Sequence, residues 1–260
     1  MNPEMNNWLQ LIFRWGHVVA GIMWIGHLWF FNYVNGPFQG KLDGPTKKIV
    51  NPELMPRALF WFRWGAAWTW ITGVVLMGLI YYHSKIVFED PNVGNPWLWL
   101  TITLFALAIG FVIYNAVLKA VKNVMVASII NLAIFAAVYF FFEQVGHYGG
   151  RSLYIHAGAI FGTMMALNVW MVIWPSQKKM IMATKEGTAA DAEVVRQAGL
   201  RSRQNTYMSM PLVFLMISNH YPTVYGASPM VRDLTLAIVI VVGFGFAKML
   251  YGKAPKVSGF

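Results

Sequence analysis

Six histidines are the residues of this chain best suited to chemistry, and two of them, His17 and His27, lie inside the apolar stretch HVVAGIMWIGHLWF. A buried neutral imidazole has one donor and one acceptor, and leaving them unpaired in hydrocarbon costs on the order of a few kcal/mol each. Such a residue therefore bonds a neighbouring helix or ligates a metal. A b-type haem asks for two imidazoles on different helices at similar depth, with small residues where the flat macrocycle lies. Gly16, Ala20 and Gly21 surround His17, and Ala157, Gly158 and Gly162 follow His156. His17 and His156 are accordingly the candidate axial ligands to haem iron, with His220 as the substitute and Arg14 and Arg151 as partners for the propionates. His27 is the candidate for a second metal site, a second haem or a quinone pocket. His83 and His147 read as interfacial residues whose rings stay in water.

The elements that would position these residues are membrane-spanning helices. The chain has 260 residues, 57% hydrophobic and 12% charged, where soluble domains carry about 25% charged residues. Its 12 Trp and 11 Tyr suit two lipid–water interfaces. Apolar segments near 8–34, 59–82, 97–118, 124–143, 152–174, 207–221 and 231–251 approach the roughly 20 residues a helix needs to cross hydrocarbon. The expected fold is an all-α bundle of about seven transmembrane helices in a single domain, 1–260, with the loop 175–206 on one side. Pro175 marks the expected end of the fifth span. Within the loop, Thr188 with Asp191 gives a capping-box-like helix start.

Charge orients the bundle. Lys41, Lys47, Lys48, Arg57 and Arg63 flank the first connection, and Lys119 and Lys122 the third; Lys178, Lys179, Lys185, Arg196, Arg201 and Arg203 crowd the fifth, and Lys248, Lys253 and Lys256 follow the last helix. That is 16 of the 20 basic residues. The positive-inside rule puts this side in the cytoplasm, with the N-terminus outside and the C-terminus cytoplasmic. The net charge of +10 is thus a topology signal, and no nucleic-acid partner is needed. Five of the six histidines then fall in the outer half, His27 being the exception.

Other chemistries are weakly supported. There is no cysteine, which excludes disulfides, iron–sulfur clusters and thioether-linked haem. Copper or zinc at the outer histidines lacks the accompanying thiolates or carboxylates. Glu143 is the one acid near a span, so an ion-coupled transporter with mid-membrane carboxylates is disfavoured. Phosphate-cradling loops and a G-x-S-x-G nucleophile elbow are absent. The start MNPEMNNW lacks the basic region of a removable signal peptide.

The segments IHAGAIFGTMMALNVWMVIWPSQKKM (155–180) and RSRQNTYMSMPLVFLMISNHYPTVYG (201–226) resemble the membrane domain of the bacterial cytochrome c-linked urate oxidases. RWGHVVAGIMWIG (14–26) and FRWGAAWTWITG (62–73) resemble its first two helices. The resemblance implies a multi-pass protein of the bacterial inner membrane, and His17, His156 and His220 match histidines of that family. Three departures stand out. The C-x-x-C-H cytochrome fused to the family's membrane domain is missing, so the electron acceptor is expected to be a separate subunit. The first cytoplasmic connection lacks the glycine-rich, histidine-containing segment associated with the family. Gly65 stands where helix 2 is expected to carry an acid.

Three functions follow. The first is a haem b-binding electron-transfer subunit working near the outer face with a separate cytochrome c or within a larger respiratory complex. The second is an oxidoreductase, a membrane urate oxidase converting urate to 5-hydroxyisourate and passing electrons to a separate cytochrome c. Its purine-binding polar groups look thinned out in this sequence. The third is a non-redox accessory or assembly subunit.

Overall fold

The computed structural model describes residues 2–257, which form helices joined by short connections. Helix α1 (Pro3–Trp29) runs through a π-helical segment, Phe30–Asn35, into the short α2 (Gly36–Gln39). Helix α3 (Gly44–Met77) ends in a second π segment, Gly78–Tyr82. Helices α4 (Pro96–Ala120) and α5 (Val124–Gln144) follow, and α6 (Gly150–Asn168) continues through a third π segment, Val169–Ile173, into α7 (Trp174–Glu186). The chain closes with α8 (Ala192–Ser218), the one-turn α9 (Pro222–Tyr225) and α10 (Pro229–Lys253).

Local chemistry explains these boundaries. Asp43 accepts the Thr46 amide hydrogen ahead of α3, Asn95 accepts from Trp97 at α4, and Asn123 accepts from Met125 and Val126 at α5. Each side-chain oxygen satisfies amides that have no carbonyl partner in a first turn. Gly187 stops α7 in the left-handed region, with φ +75, where a glycine has no Cβ to clash.

Among the described residues, six helical stretches are long and apolar enough to cross a membrane: Pro3–Gln39, Gly44–Tyr82, Pro96–Ala120, Val124–Gln144, Gly150–Glu186 and Pro229–Lys256. Gly150–Glu186 is the most enclosed, with 61% of its most apolar window buried against 11–28% in the others. The expected span 207–221 is not among them. Its residues up to Ser218 belong to α8, whose Arg201, Asn205, Thr206 and Ser209 are fully buried. Hydropathy averages composition and misses a helix that turns its polar residues inward.

The expected loop 175–206 contracts to the turn 187–191. Pro175 does not end a helix: it sits at the start of α7, directly after the third π segment, and the helical stretch continues to Glu186. The cap of α8 is Asp191, whose carboxylate accepts from the Glu193 and Val194 amides, while Thr188 bonds back to Ala183.

The chain divides into two compact units. The first comprises Met1–Arg14, Thr72–Met164 and Pro211–Ile240; the second comprises Trp15–Ile71, Met165–Met210 and Val241–Phe260. In the first unit, a single bridge between Phe88 and Tyr148 ties the loop after the second π segment to the turn before α6. In the second, α1 and α3 approach closely at Gly65, where a Cβ would lie 3.1 Å from the Trp24 amide nitrogen and 3.3 Å from the Ala20 carbonyl.

Candidate functional site

The first unit holds a buried aromatic and hydroxyl cluster around His156, which is 1% exposed. The π segment Gly78–Tyr82 turns two consecutive tyrosines, Tyr81 and Tyr82, toward the protein interior. The Tyr82 hydroxyl lies 2.8 Å from His156 Nε2, 2.8 Å from Thr103 Oγ1 and 3.0 Å from the Tyr148 hydroxyl, and Thr103 and Tyr148 meet at 2.9 Å. His156 Nδ1 is 2.7 Å from the Ser152 carbonyl. A carbonyl only accepts, so Nδ1 carries the hydrogen, Nε2 is the acceptor and Tyr82 donates to it. Phe142 stacks on Tyr148 with ring centroids 5.0 Å apart and closes the cluster.

Both nitrogens of His156 are thus engaged by the protein. The ring as folded does not fit an axial haem ligand, since iron at Nε2 would have to displace Tyr82. Arg151, expected at a propionate, gives its Nε hydrogen to Asn219 at 2.8 Å, and Asn219 also accepts from Tyr81. Arg14 acts electrostatically on Tyr81. His220 is exposed beyond the end of α8, His147 is exposed in a left-handed turn with φ 52, and His83 lies 6.5 Å from the Trp97 ring. Glu143 pairs with Arg232 in a buried ion pair, and Tyr139 donates to the neighbouring Asp233 at 2.8 Å.

His17 and His27 belong to the second unit. His17 is hydrogen-bonded to the Thr69 backbone. His27 donates from Nδ1 to the Met23 carbonyl at 2.7 Å, which leaves Nε2 as an acceptor beside Phe31. Each ring therefore has a backbone partner, Thr69 for His17 and Met23 for His27. Among the described residues, no group of three or more His, Cys, Asp or Glu side chains is placed to hold a metal ion.

The second unit contains features that sequence reasoning missed. Asn168 donates to Asn205 at 2.8 Å, Asn205 donates to the Met165 carbonyl at 2.9 Å, and Arg201 is fully buried one turn before Asn205 on α8. The π segment Phe30–Asn35 widens α1 and turns Asn32 toward Ser202 on α8, to which it donates at 2.9 Å. Asn35, at the end of the same segment, is buried against the start of α3.

A cavity of about 310 Å³ opens there, which is pocket-sized for a small planar ligand. Its polar wall is Asn35, Gln39, Lys47, Asn51, Gln177 and Thr184; Met55, Met180 and Ile181 are its apolar surfaces. Gln39 Nε2 donates to Asn35 Oδ1 at 3.3 Å and to Asn51 Oδ1 at 2.8 Å, clamping α2 against α3. The signal in the sequence was the helical spacing of polar pairs, Asn35 with Gln39 and Lys47 with Asn51. It is visible only once residues 35–39 and 44–58 are read as helix rather than as a loop.

Residues 39–254 match the urate oxidase N-terminal family. The chain belongs to that family. No curated protein and no solved structure matches it. In this member of the urate oxidase N-terminal family most of the cavity wall lies inside the matched region, and Gly65 sits at a helix–helix contact with no room for the expected carboxylate.

Proposed function

We propose that this chain is a membrane-embedded oxidoreductase of the urate oxidase type, multi-pass in a bacterial inner membrane. Its basic connections face the cytoplasm, and its substrate binds in the carboxamide-lined cavity of the second unit. The observation that carries this reading is the cavity itself: four side-chain amides and one ammonium surround a space with methionine and isoleucine walls. Amides pair with the alternating N–H and C=O groups of a purine, the ammonium suits an anion, and the apolar side chains suit the ring faces. The family match over residues 39–254 supports urate as the substrate.

The reaction balances as urate monoanion plus water giving 5-hydroxyisourate, one proton and two electrons. The carbon–oxygen bond forms to water, and the electrons pass to an acceptor of the c-type cytochrome or quinone class. The residues of the cavity bind and orient the purine. No step of this reading is routed through haem, and His156 is held by Tyr82 and Ser152.

The test is to reconstitute the full chain in lipid nanodiscs and supply urate with ferricytochrome c and, separately, a soluble quinone. Urate-dependent reduction of either acceptor, with loss of urate absorbance, is the expected result. Folded protein that reduces neither with urate present overturns the reading.

A further inference from the structure

We infer that Arg63 is the centre of a binding site for the phosphodiester of an anionic phospholipid, built in the second unit where α3 meets the third π segment and the start of α7. This rests on the membrane-embedded part of the reading above and is independent of the oxidase part. The guanidinium carbon of Arg63 lies 4.0 Å from the centre of the Trp174 ring, and 5.7 Å from those of Trp170 and Phe60. Trp170 donates its indole hydrogen to the Arg63 carbonyl at 2.9 Å and packs edge-on against Trp64, with centroids 5.4 Å apart, so the aromatic platform is fixed from two sides. Aromatic faces attract a cation but leave its N–H groups without strong acceptors. Nε is buried with no acceptor, and among the described residues the guanidinium has no hydrogen-bond or ion-pair partner.

The position indicates what supplies the acceptor. Arg63 lies four residues, about 6 Å, inside the expected span 59–82, at the end flanked by the basic connections. Phe60 belongs to the platform and Trp61 has its ring 5.3 Å from it; they are 43% and 53% exposed, an apolar surface that acyl chains would cover. Lys178 stands one turn after Trp174 on the same face of α7, exposed, and extends the positive charge along that helix. The nearest acids along the two helices are Glu53, ten residues before Arg63 and paired with Arg57, and Glu186, twelve residues after Trp174. A phosphodiester is the complement: its two free oxygens accept from the guanidinium fork, and its charge answers Arg63 and Lys178. A zwitterionic phospholipid carries the same phosphate beside an ammonium of its own, which would face two protein cations. The site therefore favours a lipid of net negative charge.

The experiment is native mass spectrometry of the full chain in mild detergent, titrated with phosphatidylglycerol and, separately, with phosphatidylcholine of the same acyl chains, to give a Kd for each. Phosphatidylglycerol is expected to bind about tenfold more tightly, and Arg63→Met to remove that preference, tenfold being the value of one charge-assisted hydrogen bond. Arg63→Lys keeps the charge without the fork and should fall between. Arg57→Met, an exposed arginine of the same helix, should leave the preference unchanged. Equal binding of the two lipids to wild-type protein, or a wild-type preference in Arg63→Met, overturns the inference. Trp170 bonds the backbone of residue 63, so the side-chain change leaves that contact in place. Should Arg63→Met still fail to fold, a wild-type preference in Arg63→Lys overturns the inference instead. Inorganic phosphate displacing phosphatidylglycerol at equal concentration makes this a site for a free anion and overturns the lipid assignment. A chain that stays dispersed without detergent overturns the membrane reading and the inference with it.

Discussion

Replacing Tyr82 with Phe removes one hydroxyl from the centre of the first unit, and the geometry fixes which neighbour suffers. Thr103 and Tyr148 keep each other at 2.9 Å, so neither is orphaned. His156 Nε2 loses its Tyr82 donor, the one it has among the described residues, in a site 1% exposed, and Nδ1 stays committed to Ser152. An unsatisfied buried acceptor costs about 1–3 kcal/mol, and removing an oxygen without a ring leaves little cavity to add to it. Near the middle of that range, and with about 2–4 °C per kcal/mol for a chain of this size, the melting temperature should fall by about 4–8 °C. Tyr148→Phe is the internal control: it leaves Tyr82 bonded to both Thr103 and His156, so it should cost under about 1 kcal/mol. Thermal unfolding followed by tryptophan fluorescence in a mild detergent measures both. Tyr148→Phe proving as damaging as Tyr82→Phe would refute the assignment of Tyr82 as donor to His156. So would a Tyr82→Phe variant of unchanged stability whose visible spectrum shifts, because His156 would then be holding a metal.

Three further outcomes follow from the packing and the charges. Gly65→Ala should destabilise the second unit by about 1–3 kcal/mol, because its Cβ would meet backbone atoms at 3.1 and 3.3 Å that cannot step aside; the same unfolding assay checks this. Glu143→Gln leaves Arg232 buried without its full countercharge and should cost about 3–5 kcal/mol or abolish folded expression, whereas the double change Glu143→Gln with Arg232→Met should recover part of the loss. Arg196 beside Glu193 holds that carboxyl well below the usual range, at about 2, so its contribution to the start of α8 is present above the ordinary carboxylate pKa and is lost as pH falls toward 2. Amide hydrogen exchange near 193–197 should quicken across that acid window, and Glu193→Gln should remove the pH dependence.

The helices were legible because stretches long and apolar enough to cross a membrane announce themselves in composition, and among the described residues six of the seven expected spans lie within single long helices that qualify. The inner organisation was not. Arg201 read as one more basic loop residue, yet it is fully buried on α8, since the inward polar face of a long helix is invisible to a hydropathy average. The π segments, which carry Asn35 and Tyr82 to their positions, leave no compositional mark. The histidines were singled out for their unusual place in apolar sequence. For His156 and His27 the partners proved to be local carbonyls and a tyrosine brought from 74 residues away, a pairing that sequence spacing does not encode. The cavity was missed for the opposite reason, because its asparagines and glutamines look like ordinary polar connection residues until α2 and α3 fold them against α7.

The central claim is that a purine anion occupies the cavity between Gln39, Asn51 and Lys47. The most direct measurement is an electron cryomicroscopy structure of the full chain in nanodiscs saturated with urate. A flat density filling that cavity, with its edge against Gln39 and Asn51 and its faces against Met55, Met180 and Ile181, is the predicted result. Purine density elsewhere in the molecule, or an unchanged cavity at saturating urate, would contradict it.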